Sequence, residues 1–377
     1  MKRLVAMACV MLLSIMHAES SNDPNVTSGQ EWGVWGGPGG SSAMAAWTSG
    51  HVGSPDVYVG VLDTGIDFNH PDLAANIWLN PFDPPDGVDN DGNGYVDDGH
   101  GWDFCHNDNT VFDGPGAKTT TDSHGTHIAG IIGAAGGNGL GGAGVNWHIK
   151  MISLKFNDVG CQRNEQAAAA LDYLTDLKTR HGLKIVAVNN SWVGHVYSAM
   201  LHGAIIRAAN AGILFVVAAG NSGTDNDHSP AYPANYSSLV ATAGQPAASY
   251  EAVISVANID ANGVKYFSTN VGATKVHLGA PGTNIWSTTV SNGHAEGTGT
   301  SQATAFVTGA AALYASVHPE ASAAAIRTAV LDSAVHTPTP SLAGITVTGG
   351  RLNIAWMLGL PATPPPPHPP PSCVKAC

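Results

Sequence analysis

Four short, mostly apolar runs constrain the fold of this chain most strongly. They cover residues 57–62, 151–156, 185–188 and 213–219. Between them, residues 165–181 carry apolar side chains at helical spacing and stop before Gly182, and residues 197–211 do the same and stop before Gly212. Strands that alternate with helices predict an α/β fold: a doubly wound, mostly parallel sheet with helices on both faces.

Polar side chains lie just past the ends of three of these runs. Asp63 and Ser191 come just after the first and third runs, and Asn221 follows the fourth. In a parallel sheet, sites form where the strands end at their carboxyl edge. We therefore expect these three residues to lie at one functional site.

Composition excludes several classes of function. The chain has 377 residues, of which 44% are hydrophobic and 11% are charged, so it can bury a large core in one large domain or two ordinary ones. Fifteen basic residues stand against 28 acidic ones, a formal charge of −13. That balance disfavours binding to nucleic acid or to an anionic membrane.

Both ends of the chain differ from the middle. Lys2 and Arg3 precede an apolar run at 4–16 and small residues around 18–20, which predicts a signal peptide at 1–20 and a secreted protein; a plain hydrophobic helix is the alternative. No other apolar run approaches the ~20 residues needed to cross a bilayer. Residues 361–377 form a proline-rich tail. The folded domain is predicted at 21–358.

Removal of the signal peptide leaves four cysteines, at Cys105, Cys161, Cys373 and Cys377. An even number in an oxidising compartment predicts disulfides, and four cysteines allow three pairings. We favour Cys105 with Cys161 and Cys373 with Cys377, because the last two lie together in the tail.

Three short segments bear residues suited to nucleophilic catalysis. They are Asp63-Thr64-Gly65, His124-Gly125-Thr126-His127 and Gly299-Thr300-Ser301. A serine hydroxyl becomes a useful nucleophile when an imidazole takes its proton and a buried carboxylate orients that imidazole. Asp-Thr-Gly is also the signature of aspartic peptidases, but these need two facing carboxylates, and the sequence holds no second copy. His-Gly-Thr-His could be a metal pair, but no third ligand follows at a recognisable spacing.

These segments, in this order and with these flanks, resemble those of the subtilisin-like serine peptidases (subtilases), over roughly residues 30–358. The resemblance implies a three-layer α/β/α fold and a serine endopeptidase acting on polypeptides, expected as a monomer. It implies Ser301 as nucleophile, His124 as general base and then acid, Asp63 as the orienting carboxylate and Asn221 as oxyanion donor. The substrate-binding positions carried over are Ser191, Trp192, Val193 and Gly220, while His127 is interpreted as a packing residue.

The chain departs from the family pattern at several points. Val193 stands where glycine is usual, and Ser301 is followed by Gln302-Ala303-Thr304-Ala305-Phe306 where the family commonly has Met-Ala-x-Pro-His. About ten residues lie between the predicted signal and the start of the family resemblance near residue 30, which are too few for the family's N-terminal prodomain. These departures leave open an inactive subtilase that serves as an extracellular binding module or matrix component.

Calcium is the predicted cofactor. Eight aspartates fall between Asp83 and Asp108 with no Lys or Arg among them, in an insertion at about 80–108. Residues 89–97 match the first nine positions of a calcium loop, with candidate ligands at Asp89, Asp91, Asn93, Tyr95 and Asp97. The twelfth position is His100 rather than Glu, so Asp98 or Asp103 would complete the set; a solvated acidic loop is the alternative. The family resemblance implies a second set at Asp72 and Asn138, with carbonyl groups near residues 140 and 142.

Overall fold

The computed structural model describes residues 21–114, 122–158, 161 and 163–362. The predicted signal peptide lies outside the described residues. So do residues 363–377, and with them the predicted pair of Cys373 and Cys377.

A parallel sheet organises the described part of the chain. Its seven strands have the order β2-β3-β1-β4-β5-β6-β7, and every neighbouring pair is parallel. The strands are β1 (Gly53–Asp63), β2 (Gly101–Asp103), β3 (His148–Lys155), β4 (Ile185–Asn190), β5 (Leu214–Ala218), β6 (Val253–Ile259) and β7 (Leu278–Pro281). A separate antiparallel hairpin joins β8 (Ile285–Thr289) to β9 (Gly293–Gly297). The predicted doubly wound, mostly parallel α/β fold is confirmed.

Helices cover both faces of the sheet. They are α1 (Pro24–Thr27), α2 (Ala43–Thr48), α3 (Ser123–Gly133), α4 (Asn164–His181), α5 (Ala199–Asn210), α6 (Thr300–Val317), α7 (Ala323–Val335) and α8 (Ile354–Met357). Short 3-10 turns lie at Trp32–Val34, Ala74–Asn76 and Pro340–Leu342. Apolar side chains of α3, α6 and α7 form one buried cluster with β1, and those of α4 and α5 form another with β3 and β4. Two cores separated by one sheet give the three layers.

Serine caps set where two of the helices begin. We expected one helix from residue 197, but the hydroxyl of Ser198 accepts a hydrogen bond from the Leu201 amide and α5 begins after it; in the same way, Ser322 accepts one from the Ala325 amide at the start of α7. Each serine therefore sits in extended conformation just outside its helix and satisfies an amide that has no partner in the first turn.

A disulfide and the hairpin tie loops to this framework. Cys105, just after β2, is bonded to Cys161, between β3 and α4, so this predicted pairing is confirmed. The hairpin packs on α3, where the hydroxyl groups of Ser287 and Thr288 donate to the carbonyl groups of His127 and Thr126.

None of the helices within the described residues combines the length and the apolar character needed to cross a membrane.

Candidate active site

Three adjacent strands bring the predicted site residues to one edge of the sheet. Leu62 of β1 pairs with Asn190 of β4, so Asp63 and Ser191 follow neighbouring positions at the carboxyl end. β5 lies on the other side of β4 and leads to Asn221. The topology thus gathers these three residues, as the sequence predicted.

Asp63 holds the imidazole of His124 directly. Its Oδ1 lies 2.7 Å from His124 Nδ1 and also accepts the amide of Thr64 at 2.8 Å. The hydroxyl of Thr64 in turn accepts the amide of Gly125 at 2.9 Å, which fixes the start of α3 against the end of β1. Because Asp63 is buried and keeps Nδ1 protonated, Nε2 of His124 is left as the acceptor.

The electrostatics of this pair favour a charged imidazole. Burial acts to lower the pKa of His124, but the negative charge of Asp63 and its hydrogen bond outweigh burial, so the pKa lies above its ordinary value. The ring is not sealed off, since 38% of the His124 side chain remains exposed. An imidazole that is open to solvent and backed by a buried carboxylate is suited to take up and release a proton.

Ser301 is the second residue of α6 and is held against the end of β4. Its hydroxyl donates to the carbonyl of Ser191 at 3.1 Å, and the Ser191 hydroxyl donates to the carbonyl of Ser301 at 2.9 Å. Asn189 supports this pair, because its Nδ2 donates to the Ser191 hydroxyl at 2.9 Å and its Oδ1 accepts from Thr308 of α6. Sequence reasoning found Ser191 but missed Asn189 and Thr308, which are polar residues inside otherwise apolar elements.

The amide of Asn221 is oriented by Thr300. Its Oδ1 accepts the Thr300 amide at 2.9 Å and the Thr300 hydroxyl at 3.1 Å. With the oxygen engaged, Nδ2 is the free donor, and it lies beside the N-terminus of α6, where partial positive charge favours an anion. The arrangement can bind a developing oxyanion. Thr300 was not singled out from the sequence, although it directly precedes Ser301.

Gly220 fits where a larger residue would not. Its φ of +116° belongs to the region that favours glycine, and a Cβ atom there would lie 2.4 Å from Nδ2 of Asn270. Asn270 accepts the amides of Ser222 and Thr224, and so shapes the loop that follows Asn221. Asn270 lies far from Asn221 in the sequence, and no motif there indicated that it would support the site.

The other two predicted substrate-binding residues differ in what they offer. The ring of Trp192 is buried and packs on Phe156, with centroids 4.9 Å apart, so a contact from Trp192 to a substrate would come from its backbone. Val193 is partly exposed. Beyond it, Gly194 pairs with Tyr232 in an antiparallel bridge.

The residues that depart from the family pattern after Ser301 are accommodated in α6. Ala305 is fully buried inside a continuous helix. The ring of Phe306 packs so closely on Gly33 that a Cβ atom there would lie 2.5 Å from it. Gln302 is buried, and its Oε1 has no hydrogen-bond partner in the described structure.

His127 of α3 is buried, and its Nε2 hydrogen-bonds to the carbonyl groups of Ile285 and Ala295. Burial lowers the pKa of His127 to about 4, which matches its interpretation as a packing residue.

The predicted calcium loop is compact, and part of its candidate set converges. The Asn93 amide lies between two carboxylates, with Nδ2 3.3 Å from Asp91 and 2.9 Å from Asp98. Turning that amide over would present its oxygen to the same space, which suits a hard cation. As it stands, Asp98 also accepts the Tyr173 hydroxyl at 2.7 Å, and Asp91 lies 3.2 Å from Nε2 of His181. The other three candidates make hydrogen bonds within the loop. The carboxylate of Asp89 accepts the backbone amides of Gly92, Asn93 and Gly94, and that of Asp97 accepts the amides of Asp86 and Gly87. The backbone amide of Tyr95 donates to Oδ1 of Asn93. Asp103 faces Lys155 and His106, so of the two residues expected to complete the set, only Asp98 meets Asn93.

The second predicted set does not fit calcium as it stands. One oxygen of Asp72 accepts Nδ2 of Asn138 at 2.9 Å, and the other lies 3.0 Å from Nε2 of His294. Nitrogen donors therefore occupy both oxygens of the one carboxylate in the pair. Across the described residues, no group of three or more His, Cys, Asp and Glu side chains is placed to hold a metal ion.

Comparison with known proteins agrees with this architecture. The family model described as the subtilase family matches residues 54–351. Subtilisin-like protease 1 of Plasmodium falciparum (isolate 3D7) is 32% identical over 294 residues, which cover 74% of this chain and 40% of that protein. Thermitase of Thermoactinomyces vulgaris is 32% identical over 314 residues, which cover 83% of this chain and 91% of thermitase. The chain thus spans less than half of the Plasmodium relative and nearly all of thermitase.

Two solved structures share the fold. A protease from Pseudoalteromonas arctica PAMC 21717 superposes with a TM-score of 0.68 at 23% identity, covering 90% of this chain and 99% of that one. A cold-adapted subtilisin-like serine proteinase superposes with a TM-score of 0.56 at 23% identity, covering 80% of this chain and 88% of that one.

Proposed function

Because the chain belongs to the subtilase family, we propose that it is a serine endopeptidase that hydrolyses peptide bonds in polypeptides. The observation that carries this proposal is the 2.7 Å contact between His124 and Asp63, at the sheet edge to which Ser301 and Asn221 also belong. A buried carboxylate behind a solvent-open imidazole is the arrangement that activates a serine.

In the proposed reaction, bound substrate draws the Ser301 hydroxyl from the Ser191 carbonyl to Nε2 of His124. Nε2 takes the proton as Ser301 Oγ attacks the carbonyl carbon of the scissile bond. Asp63 holds Nδ1 and stabilises the imidazolium that forms. The positive charge on His124 is therefore favoured at the step that needs it.

Asn221 stabilises the negative charge that develops on the carbonyl oxygen of the scissile bond. Its Nδ2 donates to the oxyanion, helped by the backbone at the start of α6. The imidazolium then gives its proton to the leaving amine, the C–N bond breaks, and an acyl group remains on Ser301. Water activated by His124 releases the acid product and restores the hydroxyl.

The test is cleavage of denatured casein by the purified protein and by a Ser301→Ala variant, with the fragments identified by mass spectrometry. We expect the native sequence to cut at internal bonds and the variant to cut none at comparable concentration. A folded protein that cleaves nothing would favour the inactive binding module instead.

We further propose that structural calcium binds the acidic insertion. Asp91, Asn93 and Asp98 would hold it, and it would offset the mutual repulsion of the aspartates rather than take part in the chemistry. Calcium at ~1,000-fold above its dissociation constant would stabilise the native state by about 4 kcal/mol. Metal analysis and thermal unfolding in calcium and in chelator test this, and Asp91→Asn should remove the difference. An unchanged unfolding temperature in chelator would contradict it.

We propose secretion on the basis of residues 1–20 alone. Expression of the full chain in a secreting host, followed by N-terminal sequencing of the extracellular protein, tests this. A start near residue 21 is expected, and retention of residues 1–20 would contradict it.

A further inference from the structure

A buried lysine stands beside the catalytic segments without any part in the reaction described above. Lys155 is the last residue of β3, and its backbone pairs with Asp63. Its side chain has no exposed surface at all. Burying an ammonium group is costly unless carboxylates surround it.

Three carboxylates do surround it. The Nζ atom lies 2.8 Å from Asp113, 3.0 Å from Asp122 and 3.8 Å from Asp103. Burial opposes the charge on Lys155, but the hydrogen bonds to Asp113 and Asp122 outweigh it, so the pKa of Lys155 lies above its ordinary value. The lysine is therefore a fixed cation.

One of these partners controls the start of the helix that carries His124. Asp122 immediately precedes α3, and its carbonyl accepts both the amide of Thr126 at 3.1 Å and the Thr126 hydroxyl at 2.7 Å. Its carboxylate also accepts the amide of Asp113. A displacement of Asp122 would therefore move the first turn of α3, and His124 with it.

The lysine touches the segment that carries Asp63 as well. A Cβ atom on Gly65 would lie 2.5 Å from Oδ1 of Asp122 and 3.0 Å from Cδ of Lys155. A Cβ atom on Gly125, in the first turn of α3, would lie 2.2 Å from the carbonyl oxygen of Gly65. Gly65 is thus held between the start of α3 and the pair of Lys155 and Asp122.

We propose that Lys155 is a positioning residue, which holds Asp122 at the start of α3 and so sets the imidazole of His124 against Asp63 for proton transfer. This inference rests on the proposed peptidase function. A purely stabilising role is a weaker explanation, because well-packed apolar residues often stabilise a core as well as a buried ion cluster does. What the cluster adds is a fixed geometry between two elements that bear reacting groups.

Two substitutions separate charge from packing. Lys155→Met keeps the length of the side chain but removes the donor, whereas Lys155→Arg keeps charge and donors but adds bulk. We expect Lys155→Met to lower kcat about 10–100-fold with KM unchanged, because a shift of about 1 Å in a reacting group can cost about 10²-fold. Lys155→Arg should retain more activity than Lys155→Met. If the methionine variant equals or exceeds the arginine variant, packing is the role of Lys155 and the proposal is overturned.

The kcat of each variant is calculated per reactive active site and compared with that of a matched control variant. Titration with a fluorophosphonate gives the concentration of reactive Ser301 for each variant, so unfolded protein does not enter kcat. Lys178→Met is the control, since that partly buried lysine donates to the carbonyl groups of Ile185 and Gly212 at the other end of the sheet. We expect it to lose stability at unchanged kcat; an equal fall in kcat in both methionine variants would overturn the specific role of Lys155.

A second variant covers the case in which Lys155→Met does not fold. Asp122→Asn keeps the shape of the partner and removes its charge, and it should lower kcat in the same direction at unchanged KM. The proton on Nδ1 of His124 should also shift in the NMR spectrum relative to the native sequence. Unchanged kcat and an unchanged resonance would overturn the inference while leaving the peptidase proposal intact, whereas failure of the native sequence to cleave casein would reject the peptidase itself.

Discussion

Replacing Thr300 by valine tests how Asn221, the proposed oxyanion donor, is oriented. Thr300 is fully buried, and its hydroxyl donates to Oδ1 of Asn221 at 3.1 Å while it accepts the amide of Gly220 at 3.3 Å. Valine has nearly the same shape and neither hydrogen bond. The backbone amide of residue 300 still holds Asn221, so the change loosens the amide without releasing it.

The magnitude follows from these contacts. One hydrogen bond contributes about 1 kcal/mol net, which corresponds to roughly a fivefold fall in kcat if the bond serves only to aim Asn221. The buried amide of Gly220 loses its partner, which should cost about 1–3 kcal/mol of stability. Asn221→Ala removes the donor itself and should lower kcat about 10²–10³-fold, a range established for subtilisin rather than worked out from this chain.

The assay is a double-mutant cycle on a chromogenic peptide substrate, with active sites titrated and stability followed by denaturant unfolding. In the Asn221→Ala background, Thr300→Val should cause no further loss of kcat, because there is no amide left to aim, while its stability cost should persist. The orienting role of Thr300 is refuted if the fivefold loss in kcat also appears in that background.

Three further perturbations have defined outcomes. The raised pKa of His124 keeps the imidazole protonated, and so unable to act as a base, up to a higher pH; the acidic limb of the kcat/KM profile should therefore lie above the ordinary histidine value of about 6.5. Asp63→Asn should shift that limb to lower pH and lower kcat about 10⁴-fold. An unmoved limb would show that Asp63 does not set the pKa of His124. Replacing both Cys105 and Cys161 by alanine should destabilise the native state by up to about 4 kcal/mol, because the bond closes a loop with a sequence separation of 56, and unchanged denaturant unfolding would contradict this. Activity should survive mild peroxide, since Gln302 offers no thioether beside the nucleophile, and Gln302→Met should become sensitive; rapid loss of native activity with oxidation mapped beside Ser301 would contradict this.

The main architecture could be predicted from sequence because local patterns specify it. The strands β1, β3, β4 and β5 contain apolar runs bounded by turn residues, and their polar ends are where a parallel sheet collects its site. In contrast, β2 and β7 span only three and four residues, which is too short for a pattern to be recognised.

The supporting contacts of the site could not be predicted, because they join distant parts of the chain. His294 meets Asp72 across 222 positions, and Thr308 meets Asn189 across 119. Nothing in the sequence around Lys155 indicates a fully buried cation, since its partners come from three separate segments of the chain. In the acidic insertion, the spacing of the aspartates predicted that all of the ligands would converge on one point. In the structure, the carboxylates of Asp89 and Asp97 instead accept hydrogen bonds from nearby backbone amides.

The first measurement to make is covalent labelling of the purified protein with a fluorophosphonate, with the modified residue located by peptide mass spectrometry and His124→Ala as the matched control. The proposed mechanism predicts a single label on Ser301 and very slow labelling in the control, because the imidazole is what makes that hydroxyl nucleophilic. A folded protein that is not labelled, or that is labelled at Ser301 equally fast without His124, would contradict it.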